Sequence, residues 1–230
     1  DSDIEKGEEI ADYTHDWKSG RDSYYFYLDK SATPNPFGVR AEFADTNAEM
    51  VKSIVYRDIA IDTYRSITYF DYSQGKGKER AQYSENYRKG DGTKLNNTVK
   101  DTTIYAYEVG SYEEARMLTS STYKGTVEDI TNLVNEEILS TTSYWLDPEI
   151  EKGEEIADYT HDWKTGRDSY YFYLDKSATP NSFGVRAEFA DTDAEMVKSV
   201  VYRDILIDTY RSITYFDYSQ GKGKERAQYS

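Results

Sequence analysis

The chain has 230 residues, enough for one large domain or two of ordinary size with a buried core. Its 43 acidic and 28 basic side chains give a net charge of −15, which disfavours nucleic acid and anionic membrane surfaces as partners. Cysteine is absent, which excludes disulfides and thiolate metal sites. No apolar run approaches the roughly 18 residues of a membrane-spanning helix, so we expect no membrane insertion.

The first predicted elements are two strands joined by a polar loop. Aromatic residues at 22–30 predict a strand, and the proline and asparagine residues of 31–36 predict a turn. Apolar residues alternate through 37–43, which predicts a second strand with one apolar face. We therefore expect a hairpin in this part of the chain.

A short helix is predicted next, at 45–58. Thr46 and Glu49 have the spacing of a capping box, and apolar residues follow them. The segment 59–73 is rich in β-branched and aromatic residues, which predicts a strand.

Turn and strand signals alternate after this point. Gly-Lys-Gly-Lys at 75–78 predicts a turn, and 79–89 is predicted to return as the partner strand. Glycine, aspartate and asparagine at 89–97 predict a loop, and the alternation at 101–109 predicts a further strand.

The strongest helix signal lies at 125–140. Thr126 and Asp129 have capping-box spacing, and apolar residues recur at helical intervals at Val127, Ile130, Val134 and Ile138. Together these signals predict an α+β fold that is mainly antiparallel β. We expect a sandwich or barrel-like module with one or two short helices in each 146-residue repeat.

A long internal repeat organises the chain. Residues 1–84 recur as residues 147–230 at a constant offset of 146, with 77 of the 84 aligned residues identical. The period is close to the size of an independent domain, about 100 to 150 residues, rather than the roughly 20 to 50 residues of a solenoid repeat. We therefore predict one full repeat at 1–146 and a partial second repeat at 147–230, with a domain frame that need not begin at residue 1.

No catalytic signature is present in the sequence. Each copy has one histidine, His15 or His161, and no serine lies in a Gly-x-Ser-x-Gly turn. Neighbouring carboxylates are frequent, but a glycosidase pair cannot be distinguished from ordinary acidic surface by composition alone. The sequence favours a protein that is not an enzyme.

Calcium is the one cofactor for which candidate ligands stand out, because hard oxygen ligands suit this ion. Asp147 and Glu149 lie in an acidic stretch between the two copies, and Asp91 lies in an oxygen-rich loop. Neither stretch matches the EF-hand pattern.

Aromatic side chains are the best candidates for ligand contacts. Tyrosine and tryptophan can stack on a sugar ring or serve as anchors in a protein interface, although they also stabilise a sheet. The candidate ligand-binding residues are Trp17, Tyr24, Tyr25, Tyr27, Tyr69, Tyr72 and Trp163.

These features predict a tandem-repeat structural or adhesive module, a stalk or fibre unit that is extracellular and located at the cell surface. Near-identical copies favour multivalent binding and an extended length over different functions for the two copies. Its expected partners are neighbouring copies of the same repeat, and a glycan or a host or cell-surface protein. The first alternative is a carbohydrate-binding module that uses exposed tyrosine and tryptophan, and the second is a duplicated enzyme resembling a glycoside hydrolase.

Overall fold

The structure is a computed structural model of the chain. It describes residues 10–17, 20–31, 35, 37–59, 63–89, 98–110, 112, 114–147, 150–177, 183–204, 209–219, 221–223 and 225–230. Within these ranges the chain forms β-strands and two 3-10 helices of a single turn, Ala41–Phe43 and Ala187–Phe189. No helix in this part of the chain has the length and apolar character that a membrane crossing requires.

The described ranges contain thirteen strands, and neighbours in the sheet are also neighbours in the chain. Their bounds are β1 Tyr13–Asp16, β2 Arg21–Tyr27, β3 Met50–Asp58, β4 Thr63–Asp71, β5 Arg80–Tyr87, β6 Val99–Tyr107, β7 Met117–Lys124, β8 Ile138–Trp145, β9 Ile156–Asp162, β10 Arg167–Tyr173, β11 Met196–Asp204, β12 Thr209–Asp217 and β13 Arg226–Tyr229.

The prediction of mainly antiparallel β-structure is confirmed, including the strands expected within 59–73, 79–89 and 101–109. The sandwich or barrel-like arrangement remains a prediction. The strand expected at 37–43 is reduced to one bridge between Val39 and Tyr27, followed by the first 3-10 helix.

Both predicted helices are wrong. Residues 50–58 form β3, because Ile54 fills a position opposite Tyr24 on β2 and Ile67 on β4, where a β-branched side chain packs well. In 125–140 the Asp129 carboxylate accepts the backbone N–H and the hydroxyl of Thr131. This bonding closes a turn rather than capping a helix, and β8 then begins at Ile138.

The strands group into two compact units. The first contains the chain up to Ile104 together with Tyr123–Glu136, and the second contains Tyr105–Thr122 together with Glu137–Ser230. The predicted repeat limits, 1–146 and 147–230, remain a prediction.

One core cluster of the first unit lies on one face of its sheet. Ile54, Ile67 and Tyr87 are buried there, and partly buried apolar side chains pack against them: Phe26, Tyr56, Tyr64, Tyr69 and Val99. The second unit has a core cluster of Ile156, Tyr173, Ala187 and Ala194, surrounded by Trp145, Tyr171, Ala190 and Met196.

Packing in each unit is between strands that are side by side. The elements with substantial contacts are neighbouring strands, plus the 3-10 helix beside β2 and the one beside β9 and β10. The buried clusters of the two units draw their side chains mainly from neighbouring strands, with Ala187 of the second 3-10 helix and Ala194 added in the second unit.

Gly38 is required where the loop after β2 returns to the sheet. Its φ is +78°, and a Cβ there would lie 2.7 Å from Val51 Cγ2 and 3.1 Å from the carbonyl oxygen of Tyr27. The left-handed conformation and the close approach both favour glycine at this position.

We predict that Gly38→Ala destabilises the chain by about 3 kcal/mol, of which roughly 1–2 kcal/mol is the cost of a left-handed alanine. Gly77→Ala is a matched control, because Gly77 has a φ of +79° but no atom within 4 Å of the added methyl group. Chemical denaturation of both variants measures the difference. Equal losses in the two variants would show that the contact with Val51 is unimportant.

Candidate functional site

A row of tyrosine rings crosses the first unit from β1 to β5. We call it the tyrosine ladder, and its members are Tyr13, Tyr24, Tyr56, Tyr64 and Tyr87. Successive ring centroids are 5.4 or 5.5 Å apart; the first pair is stacked and the others meet edge to face. Both geometries are favourable for aromatic pairs, so the ladder ties five strands together.

An arginine covers the ladder at Tyr24. The Arg40 guanidinium carbon lies 4.3 Å from the ring centroid, and its Nε donates to Asp12 Oδ1 at 2.8 Å. Arg186 repeats this arrangement over Tyr170, with Asp158 as its carboxylate partner. This cation–π contact is structural, since it occupies a face of the Tyr24 ring.

An open polar cleft of about 440 Å³ lies beside the ladder. We call it the first arginine cleft, and it is lined chiefly by Arg21, Asp22, Tyr24, Tyr56, Arg57 and Arg65. The carboxylate-bearing Asp58 also lines it. Three guanidinium groups therefore meet in one cleft of a chain whose net charge is −15.

The ends of three adjacent strands bring these arginines together. Arg21 begins β2, Arg57 lies near the end of β3, and Arg65 lies near the start of β4. The pairing of β3 with β4 shifts register on both sides of Tyr56, which marks a β-bulge. Bulges redirect side chains locally, and this one lies where Arg65 enters the cleft.

The positive groups of the cleft are held close to one another. Arg57 donates from Nε to the carbonyl oxygen of Tyr64 at 3.1 Å and from Nη2 to that of Tyr87 at 2.7 Å. Desolvation and then the charges of Arg21 and Arg57 lower the pKa of Arg65 below its usual value. The cleft thus concentrates positive potential at an exposed guanidinium.

A histidine and a tryptophan adjoin the cleft at the β1–β2 hairpin. His15 Nδ1 lies 2.6 Å from Asp22 Oδ1, and the His15 ring meets the Trp17 ring edge to face at 4.4 Å between centroids. Trp17 is 89% exposed. A flat apolar surface therefore stands next to a cleft that contains both hydrogen-bond donors and acceptors.

The second copy builds an equivalent cleft of about 370 Å³, the second arginine cleft. Its chief lining residues are Arg167, Asp168, Tyr170, Tyr202, Arg203 and Arg211, each 146 positions after its counterpart. His161 Nδ1 lies 2.7 Å from Asp168 Oδ1, and the Trp163 ring contacts the His161 ring at 4.6 Å between centroids.

The structure separates the seven aromatic residues that the sequence singled out. Tyr24 lines the first cleft, while Trp17 and Trp163 adjoin the two clefts through the histidines. Tyr25 bonds to Thr14, and Tyr27 donates to the carbonyl oxygen of Ala11 at 2.6 Å.

The remaining two aromatic residues lie at β4. Tyr69 stacks on Tyr83 with centroids 4.5 Å apart, and Tyr72 is exposed just after the strand. The seven residues therefore do not form one surface.

The predicted calcium ligands are not assembled in the described ranges. The backbone oxygen of Asp147 accepts a hydrogen bond from Arg116, while Glu149 and Asp91 lie outside the described residues. Among the residues that the structure describes, no group of three or more histidine, aspartate and glutamate side chains is placed to hold a metal ion.

Sequence patterns did not single out the arginines of the cleft. A signal was available, because each arginine directly follows a tyrosine, in Tyr56-Arg57 and in Tyr64-Arg65, within stretches rich in β-branched residues. Pairing Tyr56 with Tyr64 across the hairpin brings the two arginines to the same region. The helix predicted at 45–58 concealed this relation.

Compared with known proteins, the sequence matches no protein-family model and no curated protein.

Burial raises the pKa of several tyrosine hydroxyls above the ordinary value. Burial, then the charges of Tyr25, Glu79 and Asp12, raise the pKa of Tyr27 to about 12. Burial also raises the pKa of other tyrosines, namely Tyr69, Tyr83, Tyr87, Tyr123, Tyr144, Tyr170 and Tyr173.

We predict that the free energy of unfolding falls between pH 10 and 12. An unfolded tyrosine ionises near its ordinary pKa of 10.0, whereas folded Tyr27 stays protonated to about pH 12, so rising pH favours the unfolded state. Denaturant midpoints at pH 8, 10 and 11 measure the fall. Tyr27→Phe should be less stable at pH 8, because it lacks the bond to Ala11, but its stability should fall less steeply. Tyr72→Phe is the exposed control, and equal slopes for all three chains would contradict the assignment.

Proposed function

We propose that this chain is a tandem-repeat structural or adhesive module of an extracellular cell surface, without catalytic activity, whose copies join through their strand edges. In this proposal the β8 strand of one copy pairs with the β1 strand of the next. The observation that supports it is a difference between equivalent surfaces of the two copies.

In the second copy, β8 pairs with one edge of β9 as an antiparallel neighbour. Trp145 of β8 packs against the buried cluster that contains Ile156 and Tyr173. Thr142 Oγ1 lies 2.7 Å from Thr160 Oγ1, and Trp163 Nε1 donates to Thr141 Oγ1 at 3.0 Å. The strand that precedes this copy therefore completes both a core cluster and a polar contact.

In the first copy, the equivalent surface is an open hollow of about 380 Å³. It is lined by Ile10, Tyr27 and Ala48, the counterparts of residues that pack around Trp145 in the second copy. Trp17 is 89% exposed, whereas its counterpart Trp163 is 54% exposed. In the second copy β8 covers these positions, so the same strand of a preceding copy would cover the hollow and the Trp17 ring.

A sheet that grows in this way suits a spacer or adhesive role. Each added antiparallel strand lengthens a sheet by about 4.8 Å, and each copy repeats the same surface sites. Linked identical sites gain avidity through effective concentration.

We predict that joining a copy of residues 105–146 before Asp1 stabilises the first copy. The added strand should fill the hollow with its tryptophan and raise the free energy of unfolding by about 2–3 kcal/mol. Hydrogen exchange of the amides of Tyr13 and Thr14 in β1 should slow at the same time.

The matched control is the same extension with its added tryptophan replaced by alanine, which should keep the backbone pairing but lose most of the gain in stability. Unchanged exchange in β1 for both extended chains would exclude joining through this edge.

Carbohydrate binding is the second candidate function. It is favoured by the exposed tryptophans beside the two arginine clefts, because indole rings stack on sugars while nearby polar groups bond to hydroxyls.

A further inference from the structure

We propose that each arginine cleft binds the anionic group of an acidic saccharide, a uronate carboxylate or a sulfate ester, with the adjacent tryptophan contacting the sugar ring. This inference rests on the second candidate function, carbohydrate binding, and names its ligand class. It does not depend on the joining of copies through β8.

Charge is the first argument for an anionic ligand. The first cleft gathers Arg21, Arg57 and Arg65 against the carboxylates of Asp22 and Asp58, so its lining is net positive in a chain of net charge −15. Like charges held together repel, and a bound anion would relieve that repulsion. Two or three guanidinium groups also match the oxygen geometry of a carboxylate or sulfate.

The cleft is also organised before any ligand binds. Backbone carbonyl oxygens of Tyr64 and Tyr87 hold the Arg57 guanidinium, so less side-chain entropy is lost when an anion arrives. Arg65 remains exposed at the mouth of the cleft, where it can reach a ligand from solvent. Both arginines are exposed to solvent, and Arg57 is in addition held by its bonds to the two carbonyl oxygens.

The neighbours of the arginines favour a saccharide over a simple anion. Asp22 is oriented by His15 and supplies a carboxylate that can accept hydrogen bonds from sugar hydroxyls. Trp17 lies next to His15 and presents a flat apolar surface. A ligand that has an anionic group, hydroxyl donors and an apolar ring face uses all three features.

Nucleic acid fits the same surface less well. Its phosphates would meet the negative field of the whole chain, and binding would require many cations in a row. An acidic saccharide needs only one anionic group in each cleft.

The second copy repeats the lining residues of the site, although the Tyr87 carbonyl oxygen that holds Arg57 has no counterpart within the 230 residues. Seven aligned pairs differ between the copies, and none of them lines either cleft. His161, Asp168 and Trp163 stand in the same relation as their counterparts, with Arg203 and Arg211 beside them. The full chain should therefore bind two equivalents of ligand.

Titration calorimetry of the full chain tests the proposal with an oligogalacturonate and with a sulfated dextran oligosaccharide. A neutral dextran oligosaccharide, inorganic sulfate and a DNA oligonucleotide serve as comparison probes. We expect one or both acidic saccharides to bind at two sites, with affinity that falls as salt rises. They should bind at least about tenfold more tightly than the comparison probes.

Arg65→Gln with Arg211→Gln should weaken binding of the acidic saccharide by about tenfold or more. Arg65→Gln alone should leave one site of unchanged affinity. The matched control is Arg80→Gln with Arg226→Gln, which removes the same charge at equivalent positions outside the lining of both clefts, and it should bind like the unchanged chain. Trp163→Ala should weaken saccharide binding at the second cleft without affecting any binding of sulfate.

Four results would overturn the proposal: no binding of either acidic saccharide, equal binding of sulfate alone, tighter binding of DNA, or equal losses in the cleft and control variants. Binding of the neutral saccharide alone would retain carbohydrate binding and reject the acidic ligand class. Circular dichroism of each variant confirms that a loss of affinity is not a loss of fold.

Discussion

The buried clusters of each unit are built largely from side chains of neighbouring strands that lie on the same face of the sheet. Side chains must then be wide enough to reach across the spacing between strands, about 4.7–4.9 Å, and must tolerate water at their tips. Tyrosine meets both demands, since its ring packs laterally while its hydroxyl remains hydrated or bonded. The abundance of tyrosine, 24 residues in the chain, follows from this constraint.

The same constraint links stability to the arginine clefts. Tyr24 and Tyr56 belong to the tyrosine ladder and also line the first cleft. Arg57 bonds to the carbonyl oxygens of two further ladder residues, so one guanidinium both fixes strand ends and contributes positive charge. The repulsion among the three arginines is a local cost that the ring contacts and these hydrogen bonds offset. Such a conflict between local stability and charge is typical of sites that bind a ligand.

The sequence predicted the strands but not the way in which they pack. Alternation and β-branched residues located β4, β5 and β6, since these signals depend on nearby residues. The capping-box spacing of Thr46 and Glu49 predicted a helix wrongly, because cross-strand packing of Ile54 outweighed a local signal. The clefts were not predicted, because their arginines come from three strands and are combined only by register and a bulge. Trp17, Trp163 and Tyr24 were selected for their residue type alone, and the arginines beside them supply the chemistry.

The differences between the two copies agree with packing between neighbouring strands. Among the described strands, only one aligned pair differs: Ile54, 4% exposed, is replaced by Val200, 1% exposed. The replacement removes one methylene group but keeps the branched Cβ that a strand position favours. The described pair Asn47 and Asp193, by contrast, lies in an exposed turn before a strand. Where strands pack chiefly against the strands beside them, a changed side chain on one strand alters the packing of two neighbouring strands. A changed side chain in an exposed turn alters the packing of neither. Conservation of strand faces between copies is therefore what a sheet extended by repetition would require, even before any ligand is considered.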